Sequence, residues 1–184
     1  MDPLLAARFP GVRSRNSPAQ RKGTALHPVA LNTCSPDETR RLGEALARCA
    51  RPGGVLALYG ELGAGKTVLA KGVAAGLDID PRNVTSPTFV LMVRHAGRLT
   101  LFHFDAYRLA DGNGLLDIGA EEMFFGKGLC VIEWADRVAD VLPDDRIDVR
   151  MSVSGAKERA LALTPTGPQS ATWLRGAMDG LKNT

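Results

Sequence analysis

Cysteine is scarce in this sequence, with Cys34, Cys49 and Cys130 the only three in 184 residues. An odd, widely spaced set gives neither a disulfide framework nor the paired spacing of a metal site. The three read as small core residues of a protein kept in a reducing, cytoplasmic setting. No apolar run approaches the roughly 20 residues that a membrane span requires, so a soluble protein without membrane contact is expected. Basic excess is also missing from the body of the chain. Residues 1–30 hold five basic residues against Asp2, which leaves 18 of the 23 basic and 19 of the 20 acidic residues to the rest. That body is not a basic nucleic-acid binder, and RNA would be met through the N-terminal segment or a partner. The segment itself, "MDPLLAARFPGVRSRNSPAQRKG", has only a short apolar patch before Pro10, too little for the core of a secretory signal. Its Arg- and Ser-rich, acid-poor composition faintly resembles an organelle transit peptide but is read here as a disordered basic tail over residues 1–24.

What is present describes one glycine-rich globular domain over residues 25–184, with 45% hydrophobic and 23% charged residues, 20 glycines and no internal repeat. "TALHPVALN" alternates as a strand that Pro28 places near an edge. Ser35 then caps a helix, with Pro36 at its first position, Glu38 closing a capping box, and Leu42, Leu46 and Cys49 on one face. "VLALY" (Val55 to Tyr59) is a continuous apolar run suited to a buried parallel strand. A helix from about Lys66 to Ala75 should stop at Gly76. Further strands are expected over Thr88 to Val93, Leu99 to Phe104 and Leu129 to Trp134, and "RIDVRMSV" and "RALALT" form a hairpin around Ser154-Gly155. A last helix puts Trp173, Leu174, Ala177, Met178 and Leu181 on one face. The fold class is α/β: a mostly parallel sheet flanked by helices, with an antiparallel edge hairpin near the C-terminus.

Between "VLALY" and its helix, Gly60-Glu61-Leu62-Gly63-Ala64-Gly65-Lys66-Thr67 matches G-x-x-x-x-G-K-[ST]. Successive N–H groups, uncrowded at Gly63 and Gly65, can curl around phosphate oxygens at the positive end of the helix. Lys66 would reach the β and γ phosphates, and Thr67 would offer its hydroxyl to Mg2+. Such a match arises by chance in a chain of this size with a probability on the order of one per cent. Magnesium beside such a loop usually needs a carboxylate from a neighbouring strand end. Asp105 ends "LFHFD" and Glu133 ends "LCVIE". Either acid alone could be a surface carboxylate, but the two together stand where α/β ligands gather. The N-K-x-D motif by which a GTPase reads its base is absent, and "DGNG" (Asp111 to Gly114) is a chance D-x-x-G in a glycine loop.

"NVTSPTFVL" (Asn83 to Leu91), "HFDAYRL" (His103 to Leu109) and "IEWADR" (Ile132 to Arg137) follow the phosphate loop in an order and spacing that resembles the TsaE family, formerly YjeE. The likeness covers roughly residues 31 to 165. It implies a P-loop ATPase required for threonylcarbamoyladenosine formation on tRNA, using ATP and Mg2+. It further implies TsaD and TsaB as partners, with tRNA reached only through their complex. By the same resemblance Gly60 to Thr67 cradle ATP, and Thr67 and Glu133 are the magnesium ligands. Asp105 is the acid of an H-x-D-x-Y-R motif, and Ser86, Pro87 and Thr88 form a switch-like loop near the γ-phosphate. Trp134 lies beside the nucleotide, and Ser35-Pro36 lies near the adenine. Ala106 stands where the family often has leucine, and the basic tail has no family counterpart.

The residues themselves keep plainer readings open. Trp134 can be core, Ser86 and Thr88 can serve the turn made by Pro87, His103 reads as a strand residue, and Arg108 can face Asp105 or a partner. No base and no acceptor pocket is evident, so slow hydrolysis alone and faster turnover in a complex are expected. The rival is a small-molecule or nucleoside kinase on the same loop. Against it, "RLADGNGLLDIGAEEMFFGKG" has no arginine after Arg108 to form a lid and reads as a partner-facing insertion. A non-hydrolysing nucleotide-binding scaffold would also fit the loop.

Overall fold

The apolar run after Gly54 sets the plan of the molecule. In the computed structural model, which describes residues 27–182, strand β2 (Gly54–Tyr59) is central and buried along its length. The basic segment at residues 1–24 lies outside the described residues. Leu56 and Leu58 point to one face of the sheet, and Val55, Ala57 and Tyr59 to the other. A strand apolar on both sides needs cover on both sides. Helices α1 (Pro36–Cys49), α2 (Lys66–Ala75) and α5 (Pro168–Lys182) cover the first face. The short helices α3 (Asn113–Leu116) and α4 (Ala120–Phe124), with the turn Ala135–Val138, cover the second. The expected partner-facing insertion thus docks Leu115, Ala120 and Phe124 into the core while Leu116, Ile118 and Phe125 face outward.

The remaining strands are β1 (Val29–Thr33), β3 (Met92–His95), β4 (Leu101–Asp105), β5 (Leu129–Glu133), β6 (Ile147–Val153) and β7 (Arg159–Pro165). They join β2 in a seven-stranded sheet of order β1-β7-β6-β2-β5-β4-β3. The pairs β6–β2, β2–β5 and β5–β4 are parallel. β1–β7, β7–β6 and β4–β3 are antiparallel, so five of the seven strands run one way. The hairpin β6–β7 and the edge position of β1 follow the sequence expectation. The parallel centre brings the carboxyl ends of β2, β4 and β5 together, where connecting loops gather into sites.

Three strand starts differ from the expectation, the first in that β1 begins at Val29 with His27 and Pro28 outside the sheet. The segment expected as a strand from Thr88 turns instead, because the Pro87 carbonyl accepts from the N–H groups of Val90 (3.1 Å) and Leu91 (2.8 Å), and Leu91 takes φ +67°. Turn chemistry at Pro87 outweighs the β propensity of Thr88 to Val90, and pairing begins only at Met92. Likewise β4 starts at Leu101 rather than Leu99: Arg98 donates its N–H to Leu77, and Thr100 meets β5 only through its carbonyl, which accepts from Leu129 N–H at 2.8 Å.

Helix α1 begins as its sequence requires. Ser35 Oγ accepts from Glu38 N–H at 3.2 Å, while Glu38 reaches back to the N–H of Cys34 at 2.7 Å, one residue earlier than in the usual box. Such a cap contributes about 1 kcal/mol. α1 and α2 cross closely at Gly43 and Gly72, where a Cβ would come within 2.4 Å of Leu69 O and 2.1 Å of Arg40 O, respectively. The cysteines only partly follow the expectation of small core residues. Cys130 is buried, and burial pushes its thiol up to about 12, but Cys49 is half-buried and Cys34 is exposed at the turn into α1. On α5, Trp173, Leu174 and Ala177 are buried, and Trp173 Nε1 donates to Leu46 O at 2.7 Å. No helix among the described residues is long and apolar enough to cross a membrane.

Candidate functional site

Where β2 ends, the chain makes turns that only glycine tolerates. Gly60 has φ +145°, and a Cβ there would meet Met151 O at 2.4 Å; Gly63 and Gly65 take φ +80° and +99°. Gly65 begins α2 without any side-chain cap, so the first N–H groups of the helix have no side-chain acceptor. This is the cradle that phosphate chemistry requires, and a methyl group at Gly60 would push the loop off the β6 backbone.

Lys66, at the first position of α2, is 5% exposed. Its Nζ donates to Gly60 O at 2.6 Å and Glu61 O at 3.0 Å and lies 3.7 Å from the ring centre of Trp134. Burial lowers its pKa from the ordinary 10.5, opposed by the carboxylates of Glu133, Asp105 and Asp136. Trp134 holds a left-handed backbone, φ +58°, immediately after β5, and its ring packs 4.9 Å from that of Tyr107. Such a conformation is uncommon for a bulky residue and turns the indole across the loop.

The two strand-end acids come together. Asp105 and Glu133 are register partners on β4 and β5, and each is 2% exposed. Thr67 Oγ1 donates to Glu133 Oε2 at 2.9 Å. Asp105 Oδ2 accepts from Thr88 Oγ1 at 2.6 Å and from Ser86 Oγ, and its Oδ1 accepts from Tyr107 N–H at 2.9 Å. Two buried carboxylates therefore share the field of one ammonium, a local negative excess that suits a divalent cation. The donors are all oxygens, the preference of magnesium. Among the described residues no group of three or more His, Cys, Asp or Glu could hold a metal alone. A metal here would complete its shell with phosphate and water.

These groups border a cavity of about 480 Å³ whose walls include Leu62, Gly63, Gly65, Lys66, Thr67, Ser86, Thr88, Asp105, Glu133 and Trp134. That size suits a small-molecule ligand. Gly60, Glu61 and Ala64 lie behind the wall, in the turn that shapes it. Ser35 and Pro36, expected near the adenine, do not line the cavity; Ser35 is engaged in the helix cap. A larger cavity of about 680 Å³, bordered by Arg51, Gly54, Asp145 and Trp173, sits at the other end of the sheet, away from the glycine loop.

Sequence reasoning missed two contributors. Arg159 opens β7 and donates from Nη2 to Gly63 O at 3.0 Å and from Nη1 to Glu158 O at 2.7 Å, which braces the loop from the far hairpin. It lies beyond any local motif, and only the pairing of β7 with β6 and β1 brings it to the site. His103, read as a strand residue, is indeed in β4 and is 0% exposed, yet its Nε2 lies 2.8 Å from Glu133 Oε1. The acid two positions later on the same strand face was the available signal.

The chain is similar to known proteins in both sequence and fold. A sequence model of one family, described as "Threonylcarbamoyl adenosine biosynthesis protein TsaE", matches residues 33–161. The tRNA threonylcarbamoyladenosine biosynthesis protein TsaE of Treponema pallidum (strain Nichols) is 43% identical over 129 residues, covering 70% of this chain and 95% of that protein. Its namesake from Bacillus subtilis (strain 168) is 41% identical over 136 residues, covering 73% of this chain and 84% of that one. The crystal structure of YdiB from Bacillus subtilis superposes with a TM-score of 0.72 at 32% identity, covering 85% of this chain and 97% of the other. With the family pattern spanning most of the described residues and the fold shared, this chain belongs to the TsaE family.

Proposed function

We propose that the chain is a magnesium-dependent ATPase of tRNA threonylcarbamoyladenosine biosynthesis, slow alone and stimulated when docked with TsaD and TsaB. Transfer RNA would be reached only through that complex. One observation carries the reading: two buried carboxylates, Glu133 tied to the Thr67 hydroxyl at the start of α2 and Asp105 to Ser86 and Thr88 in the loop before β3, converge on Lys66 beside a glycine cradle. ATP is the substrate. Gly60 to Thr67 hold its phosphates through backbone N–H groups at the uncapped start of α2, and Lys66 offsets their charge. Thr67 and Glu133 would hold magnesium, which when bound neutralises charge on the phosphate oxygens. Asp105 fixes Ser86 and Thr88 at the cavity wall, and Trp134 confines Lys66. For Ser35 and Pro36 only the family resemblance supports an adenine contact.

No side chain stands as an evident base, because Glu133 is taken by the metal and Asp105 by Ser86 and Thr88. Arg159 is likewise occupied with loop carbonyls. Hydrolysis by the isolated chain is therefore slow, and an arginine supplied in trans would raise it by ~10³ to 10⁵. The kinase reading is not favoured: the segment between Arg108 and β5 has no arginine for a lid, and the relatives are named for tRNA modification. The free thiols, with Cys34 exposed, support a reducing cytoplasm as the setting.

The test uses purified protein with ATP and magnesium, with and without TsaD and TsaB, against tRNA and a nucleoside panel. Phosphate release that rises with the partners is expected. Stoichiometric phosphate transfer to a small acceptor would sink the reading.

A further inference from the structure

Glu133 has a second neighbour, which the proposed reaction leaves unused. His103 lies in β4 with its register partner Val131, two pairs back from Asp105 and Glu133. Its ring does not simply fill space beside Val131. It reaches along the sheet so that Nε2 meets Glu133 Oε1 at 2.8 Å, while Oε2 of the same carboxylate takes the Thr67 hydroxyl. The other ring nitrogen, Nδ1, is buried and has no partner among the described residues. An unbonded N–H there would be costlier than an idle lone pair, so the bonding assigns the proton to Nε2 and makes the imidazole a donor to Glu133. Leu101 on the same strand face and Val131 beside it are wholly buried and apolar. The carboxylate is thus the polar group that compensates burial of this ring.

We propose that His103 is a positioning residue. Its Nε2–H pins Oε1 of Glu133 and so turns Oε2 toward Thr67, presenting carboxylate and hydroxyl together to a divalent cation beside the nucleotide phosphates. The inference rests on the ATPase reading and adds to it the group that aims its metal ligands. Carboxylates that ligate metals are themselves commonly held by such outer partners, and loss of one typically costs ~10- to 100-fold in metal affinity.

Calorimetry tests this. ADP is titrated into the unsubstituted protein, His103→Leu and His103→Gln, each at a series of MgCl2 concentrations and in EDTA. His103→Leu should raise the half-saturating magnesium concentration ~10- to 100-fold while leaving ADP binding in EDTA unchanged. His103→Gln, with an N–H of similar reach, should recover most of that loss. Should the leucine variant fail to fold, His103→Met against His103→Gln gives the same comparison. A folded apolar variant with unchanged magnesium dependence, or one weakened equally in EDTA and magnesium, overturns the proposal and leaves His103 a packing residue. Failure of the ATPase reading looks different: the unsubstituted protein would bind no ADP or would transfer phosphate to a small acceptor, whereas magnesium-independent ADP binding by the unsubstituted protein overturns the positioning role alone.

Discussion

Asp105 and Glu133 face each other in the register of β4 and β5, both nearly inaccessible, yet they are bonded to different parts of the chain. Glu133 takes Thr67 from the start of α2, and Asp105 takes Ser86 and Thr88 from the loop before β3. Adjacent buried carboxylates repel, so the arrangement depends on these hydroxyls and on the Lys66 ammonium nearby. The loop tied to Asp105 also carries Phe89 and Val90 at 84% and 65% exposure. The hydroxyls that bond Asp105 thus lie only one to four residues from an exposed apolar surface.

Glu133→Ala removes the acceptor of Thr67 and of His103 at once. Turnover at saturating ATP should fall by ~10² or more, the scale expected when a preorganised group at a reacting centre is lost. Phosphate release measured across a magnesium series checks it. Unchanged turnover with unchanged magnesium dependence would remove Glu133 from the metal site.

The phosphate loop, both acids and the parallel centre of the sheet were legible because each is written in consecutive residues. Glycines at fixed offsets and an apolar run ending in an acid are local patterns. The turn made by Pro87 was legible as one reading of Ser86 and Thr88, but its reach was not, because the β-branched and aromatic residues from Thr88 to Val90 mimic a strand while the Pro87 carbonyl holds Val90 and Leu91 in the turn. Arg159 was hidden for a different reason: its contact with Gly63 joins residues 96 apart through the β6–β7 hairpin. His103 was read from its own apolar neighbours, whereas its partner Glu133 arrives by parallel pairing from another strand.

Replacing Ser86 and Thr88 together by alanine leaves the Asp105 carboxylate with the Tyr107 N–H as its remaining partner among the hydrogen bonds described above. Loss of hydrogen bonds to a buried charge costs about 1–3 kcal/mol, and urea unfolding should show a drop of that order. Because neither hydroxyl belongs to the phosphate cradle, ADP affinity should hold while turnover falls. A loss of ADP affinity as large as the loss of turnover would place these hydroxyls in ground-state binding instead.

Gly72→Ala is the control that touches stability and not chemistry. The added Cβ would sit 2.1 Å from the Arg40 carbonyl of α1, a backbone atom with nowhere to go. Alanine gains about 1 kcal/mol of helix propensity over glycine, but overpacking of a tight crossing costs about 1–3 kcal/mol and occasionally more. A lower urea midpoint with an unchanged slope is expected. A variant more stable than the parent would show that α1 and α2 can move apart cheaply.

Lys66 makes stability depend on alkaline pH. Burial holds its ammonium below the ordinary 10.5, with Glu133, Asp105 and Asp136 pulling partly the other way. Between the folded value and 10.5 the unfolded chain binds this proton more fully than the folded chain does, so stability rises with pH there. The charged lysine therefore weighs on the folded state at neutral pH, and that weight lifts as the amine titrates. Lys66→Met has no such proton. Urea unfolding of both proteins at intervals from about pH 8 to 10 should show their stability gap moving in favour of the lysine form as pH rises. A gap moving the opposite way would mean that the carboxylates, and not burial, govern the amine.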